Sequence, residues 1–353
     1  MEKYLAPFWL PGGNLQTIWP ALFARRIDGA PPSFVRERWD TPDSDFVDVD
    51  WLVTRSGATP LPAPGAPLLV LFHGLEGSSR SHYAQAFAGF ARQHGLAYAV
   101  PHVRGCSGEI NRAPRAYHSG DHEEIGWILT RLAAQHRAAG GGDVVAVGVS
   151  LGGNALMRWA AEAGEAAART VRAVAAVSSP LDLTAGGEHI GRGFNRQVYT
   201  RMFLKTMKPK ALAKLAQHPG LFDRQRLLAA RDLHDFDDVF TAPLHGFKGV
   251  RDYWARASAK PHLAAIRVPA LAVNARNDPF VPAWSLPRAG EVGPSVTLWQ
   301  PAHGGHVGFA YGGLPGHVRG MPEAVGRWLL QHVTPVPSGS ARSDGSPAQS
   351  THG

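Results

Sequence analysis

The sequence predicts an α/β fold: a mostly parallel central sheet, helices on both faces and a helical cap insertion. Three observations predict it. Short apolar runs, rich in valine, leucine and alanine, recur along the chain with helical segments between them, the pattern of parallel strands buried on both faces. The run Val144–Val149 ends in Gly148-Val149-Ser150-Leu151-Gly152 and passes into a helical stretch, Asn154–Ala161. Strand character then disappears between about residues 185 and 245, where the chain is helical and basic, and returns afterwards.

At 353 residues the chain is long enough for one large domain with an insertion, or for two domains. Hydrophobic residues make up 44% and charged residues 18%, which places it among globular rather than disordered chains. No apolar run reaches the length needed to cross a bilayer. The start, Met1–Pro7, lacks the basic-then-apolar layout of a secretory leader. The single cysteine, Cys106, cannot form an internal disulfide. Together these features predict a cytoplasmic protein. The net charge of +8 raises nucleic-acid binding as a reading, but neither an aromatic–basic stacking module nor zinc-finger spacing accompanies it. A solvated, arginine-rich surface accounts for the charge, and no nucleic-acid partner is expected.

Residues 1–35 read as an arm packed on the body. Phe8, Trp9, Leu10, Leu15, Ile18, Trp19, Leu22 and Phe23 form too large an apolar set to leave in water, while Pro7, Pro11, Gly12 and Gly13 interrupt regular structure. The core spans 36–184 and 246–333. It opens with strands at Val35–Trp39 and Phe46–Val53, joined by the turn-forming Asp40–Asp45. A Pro/Ala/Gly loop, Gly57–Pro67, leads to the buried strand Leu68–Phe72 and the turn His73-Gly74-Leu75-Glu76-Gly77. A helix over Ser81–His94, a strand over Ala97–Val100, a glycine-broken loop over His102–Glu109 and a helix over Asp121–Ala138 follow. In that last helix Ile125, Ile128, Leu129 and Leu132 recur at helical spacing. After the Val144–Val149 strand comes Val171–Ser178. Residues 185–245 form the helical cap, in which Arg192, Arg196, Arg201, Lys205, Lys208, Lys210 and Lys214 alternate with Phe194, Val198, Met202, Phe203, Leu204 and Met207. Strands return at Ala270–Ala275 and Val296–Trp299, and Met321–His332 closes the core as a helix. Residues 334–353, rich in proline, serine and glycine, read as a disordered tail.

The strand–Gly-x-Ser-x-Gly–helix context is that of a nucleophile elbow, in which the serine sits on a sharp turn and the glycines avoid clashes as the chain doubles back. Ser150 is therefore the candidate nucleophile. A serine hydroxyl needs an imidazole to take its proton, and the imidazole needs a carboxylate to fix its tautomer and stabilise its charge. Elbow enzymes supply these in the chain order Ser, acid, His. Asp278, after the strand at 270–275, and His306, in the glycine loop Gly304–Gly308, satisfy that order. Asp182, which follows an earlier strand, is a second acid candidate, and His303 competes with His306 in the same loop. Two N–H donors must meet the developing oxyanion. The residue after the serine, Leu151, supplies one, and Leu75 in the His-Gly turn supplies the other. His73 precedes that turn and reads as structural. Cys106 lacks an elbow. No cluster of His, Asp or Cys has the spacing of a catalytic metal site, so no cofactor or metal is expected.

At this point the chain resembles the YheT-like α/β-hydrolases, a family that includes animal esterases and phospholipases of the ABHD type. The resemblance runs from about residue 7 to 333. Its blocks are Asn14–Thr17, His73–Ser79, Arg104–Glu109, Tyr117–Gly120, Gly148–Asn154, Phe236–Asp238, Thr241–Pro243, Asn277–Phe280 and Gly304–Phe309. The family's triad falls on Ser150, Asp278 and His306. The resemblance implies hydrolysis of carboxylic esters, with short or medium acyl chains or with acylglycerols and phospholipids as substrates. The same triad could instead serve an acyltransferase, or the fold could persist in a non-catalytic binding protein. The basic cap also suggests peripheral contact with an anionic membrane. Oligomeric state is not legible in the residues.

Overall fold

The computed structural model describes residues 3–53 and 63–334. Most of the Gly57–Pro67 loop, and the tail beyond Thr334, lie outside the described residues.

Eight strands form one sheet, in the order β1-β2-β4-β3-β5-β6-β7-β8. They are β1 (Phe34–Asp40), β2 (Phe46–Leu52), β3 (Leu68–Phe72), β4 (Ala97–Pro101), β5 (Val144–Val149), β6 (Ala173–Val177), β7 (Ala270–Val273) and β8 (Val296–Trp299). The hairpin β1–β2 is antiparallel and joins β4 antiparallel; the pairings from β4 to β8 are parallel. The predicted fold class is thus borne out. Strand order reverses between β3 and β5, and in open α/β sheets the ligand crevice lies at the carboxyl ends of the strands flanking such a reversal. Register makes this concrete: Phe72 pairs with Gly148, Val149 with Val177, and Val177 with Val273. The loops leaving β3, β5, β6 and β7 therefore emerge along one rim.

Alternation along the strands builds two core layers. Leu68, Val70, Val144 and Ala146 face α3 (His122–Ala138) and α4 (Leu151–Ala163). Leu69, Leu71, Val145 and Val147 face α2 (His82–Gln93) and the closing helix, α12 in chain order (Gly320–Leu330).

Over the rim lie α5 (Leu183–Ile190), α6 (Gly193–Asn195), α7 (Arg201–Gln217), α8 (Arg224–Ala229), α9 (Leu233–Phe236), α10 (Ala242–Leu244) and α11 (Val250–Ala257). Single π-helical turns at Arg196–Thr200 and Asp237–Thr241 join α6 to α7 and α9 to α10. Leu204, Met207, Leu227, Phe236, Val239 and Phe240 give these helices an apolar cluster of their own.

The arm differs from the sequence expectation. Gly12 and Gly13 do not prevent regular structure but begin a helix, α1 (Gly12–Leu22). The first turn of a helix needs no intrahelical donors, and Gly12 takes a φ of +74° there. Phe8, Leu15, Leu22 and Phe23 stay exposed, whereas the polar Gln16 and Thr17 are buried.

Arg104, after β4, locks the sheet's antiparallel edge to the body. Its buried guanidinium donates to Glu124 of α3 at 2.6 Å, to Asp45 at 2.7 Å and to Asp43 at 2.8 Å. Asp45 is fully buried, and hydrogen bonds from Asn111, the Arg112 N–H and Arg104 offset its desolvation and hold its carboxyl below the usual range. Removing one member of a buried ionic cluster leaves the others charged and unpaired. Arg104→Met should therefore destabilise the fold by about 3–5 kcal/mol, read from urea unfolding; a midpoint unchanged from wild type would contradict this role.

Candidate active site

Ser150 closes β5 with φ +52° and ψ −120°, a strained conformation for a side-chain-bearing residue. Backbone crowding imposes it. A methyl group on Gly148 would lie 2.5 Å from the Gly152 carbonyl oxygen, and one on Gly152 would lie 2.5 Å from those of Phe72 and His73. The Ser150 N–H donates to Val177 O at 2.9 Å, which fixes the turn to β6. Ser150 then caps α4, at the positive end of the helix dipole.

His306 reaches this serine from the other end of the chain. Its Nε2 lies 3.0 Å from Ser150 Oγ, and its Nδ1 lies 2.9 Å from Asp278 Oδ2. The Asp278 carboxylate is buried, and its Oδ1 accepts the Phe280 N–H at 2.7 Å and the Val281 N–H at 3.3 Å. These bonds leave Oδ2 for the imidazole. With Nδ1–H donating to Asp278, Nε2 carries the lone pair that faces the serine hydroxyl. The Phe280 ring stacks on the imidazole, with centroids 4.0 Å apart.

The rival residues are engaged elsewhere. Asp182 caps α5, its Oδ1 accepting the Ala185 N–H at 3.0 Å. His303 is exposed and neighbours Asn277. His73 is fully buried; its Nδ1–H donates to Gly74 O and its Nε2 accepts the Val103 N–H. Burial, and the nearby His102, push its pKa down to about 3. Burial pushes the Cys106 thiol up to about 12, the opposite of what a nucleophilic thiolate requires.

The β3 turn lies directly against the serine: a methyl group on Gly74 would approach Ser150 Cβ to 3.0 Å. The N–H groups of Gly74, Glu76 and Gly77 bond to Tyr83 Oη, Tyr117 Oη and Gly74 O. Among the described residues, the Leu75 and Leu151 N–H groups have no protein acceptor. Both leucines line the same cavity as Ser150 and His306.

That cavity, about 1160 Å³ with its open mouth, runs from the serine under the cap. Leu183, Ile190, Phe203, Met207, Phe240 and Trp254 make much of its wall apolar. Polar groups at its edge are mutually satisfied: Lys210 Nζ lies 2.9 Å from Glu76, which also accepts from Tyr117 Oη at 3.0 Å. Asp237, half-buried in the cavity wall and pushed by desolvation up to about 6, accepts from Thr241 Oγ1 and Trp254 Nε1.

Among the described residues, Asp232, His234 and Asp235 form one grouping close enough to hold an ion, in the cap. Its two carboxylates already accept the Asp235 and Arg231 N–H groups around α9. Sequence reasoning assigned no role to Phe280, Gln16 or Thr17. All three fall inside blocks that carried the family resemblance, and the adjacent polar pair in an apolar arm was the available signal.

Comparison with known proteins gives the family. The family profile described as alpha/beta hydrolase fold matches residues 67–312. YheT of Escherichia coli (strain K12), provisionally designated an esterase, is 38% identical over 322 residues, covering 91% of each chain. Phospholipase ABHD3 of Mus musculus is 27% identical over 320 residues, covering 89% of this chain and 75% of its own. Among solved structures, the alpha/beta hydrolase GrgF from Penicillium sp. sh18 superposes with a TM-score of 0.55 at 15% identity, covering 86% of this chain and 99% of its own, a likeness of fold. The chain belongs to the α/β-hydrolase family, in its YheT-like branch, and is a hydrolase.

Proposed function

We propose that the chain is a serine esterase that cleaves carboxylic esters through an acyl-enzyme on Ser150. One observation carries the reading: a single imidazole lies within hydrogen-bond distance of both the elbow serine and a buried carboxylate. His306 Nε2 takes the hydroxyl proton as Ser150 Oγ attacks the ester carbonyl. The Leu75 and Leu151 N–H groups receive the oxyanion; one such donor is typically worth ~3 kcal/mol in the transition state. His306, now protonated and stabilised by Asp278, hands the proton to the departing alcohol. Water, deprotonated by the same imidazole, attacks the acyl-enzyme and releases the acid, and Ser150 regains its proton.

The apolar cavity wall favours an aliphatic acyl chain as the buried part of the substrate, since each methylene removed from water contributes about 0.8 kcal/mol. Acylglycerols and phospholipids carry such chains, and relatives named monoacylglycerol lipase and phospholipase support lipid esters as the substrate class.

The cap carries a second feature suited to lipid. Phe194, Val198 and Met202 recur every four residues along the continuous run from α6 to α7 and are 54%, 36% and 54% exposed. Arg192, Arg201 and Lys205, also exposed, flank them. This apolar face with a cationic border suits peripheral docking on an anionic bilayer.

Ser150→Ala should lower kcat for p-nitrophenyl butyrate by roughly 10⁴–10⁶-fold while leaving the fold intact; wild-type turnover in that variant would refute the mechanism. In sedimentation with phosphatidylserine vesicles, the protein should bind at low salt, bind less at high salt, and lose binding in a Phe194→Ser/Met202→Ser variant. No binding at either salt would end the membrane reading.

A further inference from the structure

We infer that Gln16 and Thr17 of α1 are positioning residues for the general base, holding the His306 loop in the one backbone conformation that aims its imidazole at Ser150. The inference rests on the esterase reading of His306.

The loop closes on itself through one backbone bond, from the Phe309 N–H to Gly304 O at 2.9 Å, which leaves the N–H groups of residues 304–307 to be met by other parts of the chain. It belongs to no strand or helix, and Gly305, Val307 and Phe309 take φ values of +60°, +56° and +41°. With no regular ladder available, those N–H groups need acceptors from elsewhere, because a buried donor left unmet loses its bond to water without replacement. Four consecutive N–H groups find side chains. Gly304 donates to Gln16 Oε1 at 2.9 Å, Gly305 to Asn277 Oδ1 at 3.0 Å, His306 to Thr17 Oγ1 at 2.8 Å and Val307 to Ser178 Oγ at 3.0 Å. Two of the four acceptors come from the arm, nearly 300 positions away in the chain.

Those acceptors are themselves oriented. Thr17 Oγ1–H donates to Gly13 O at 2.7 Å, which turns an oxygen lone pair towards the His306 N–H. Gln16 Nε2 donates to Leu10 O at 2.8 Å. Its Oε1 also accepts from Asn277 Nδ2 at 2.9 Å, so one amide oxygen joins the loop of the base to the loop of the acid Asp278. The backbones touch as well. A methyl group on Gly308 would lie 1.7 Å from Gln16 O, and one on Gly13 would lie 1.8 Å from Asn277 O. A helix that only covered the sheet would bury apolar residues here; α1 buries Gln16 and Thr17 and leaves Leu15 exposed.

Thr17→Val keeps the shape of the side chain and removes the acceptor, whereas Thr17→Ser keeps the acceptor. The test is steady-state hydrolysis of p-nitrophenyl butyrate by both variants beside wild type and Ser150→Ala, with thermal unfolding to establish folding. Positioning predicts that Thr17→Val lowers kcat by about tenfold to a hundredfold with KM within twofold, the scale of effect that a misplacement near 1 Å produces, and that Thr17→Ser stays within threefold of wild type. A folded Thr17→Val enzyme with wild-type kcat, a loss confined to KM, or equal losses in the two variants would overturn the inference. Should Thr17→Val not fold, Gln16→Met, which removes the acceptor for Gly304, is read by the same criteria. Full activity in Ser150→Ala would instead mark the failure of the esterase reading and remove the premise of this one.

Discussion

The backbone contact between the elbow and strand β3 is the constraint on which the rest of the structure depends. Gly152 sits against the carbonyls of Phe72 and His73 with no space for a methyl group, and Gly148 faces Gly152 in the same way. That proximity lets the chain reverse from β5 into α4 over a single serine, held at positive φ. It also presses the β3 turn against Ser150, so one glycine-bearing contact places both the candidate nucleophile and the candidate oxyanion donors. Strain at a functional residue persists only where its surroundings over-determine it. Here the Ser150 N–H to Val177, the parallel pairing of β3, β5 and β6, and the packing of α4 all do so.

The other half of the site is assembled differently. Asp278 and His306 lie on loops that leave β7 and β8 without regular structure of their own. Their shape comes from side-chain acceptors for backbone N–H groups: the carboxylate of Asp278 folds its own turn, and Gln16, Thr17, Asn277 and Ser178 fold the base loop. The serine side of the site is thus built by sterics, and the imidazole side by hydrogen bonds. The cap joins the second network, since Tyr199 Oη bonds to Asn14 Oδ1 at 2.9 Å and its ring packs edge-on against Phe280, which stacks on His306.

This division explains what could be read from residues alone. Strands β3, β5, β6 and β7 are continuous apolar runs, a signal that survives without tertiary information. The elbow glycines are visible because a strand-to-helix reversal has few solutions. Both acids lie between Ser150 and His306, so chain order does not separate them, and choosing Asp278 over Asp182 rested on its place after a later buried strand and on the resemblance; the bond from the Ala185 N–H to Asp182 Oδ1, which engages the rival, exists only once α5 is formed. The arm was the hardest segment to read. Its eight large apolar residues pointed to burial by hydrophobicity, yet Phe8 and Leu22 are 97% and 63% exposed while Gln16 and Thr17 turn inward. A buried polar residue is placed by partners distant in the chain, and no local period records them.

The most direct test of the central claim, that one serine is activated by the assembled rim, is covalent labelling of the folded protein with a fluorophosphonate followed by peptide mapping. The account predicts one adduct per chain, on Ser150, and loss of that adduct in a folded His306→Ala variant. An adduct on any other residue, or none on folded wild-type protein, would contradict it.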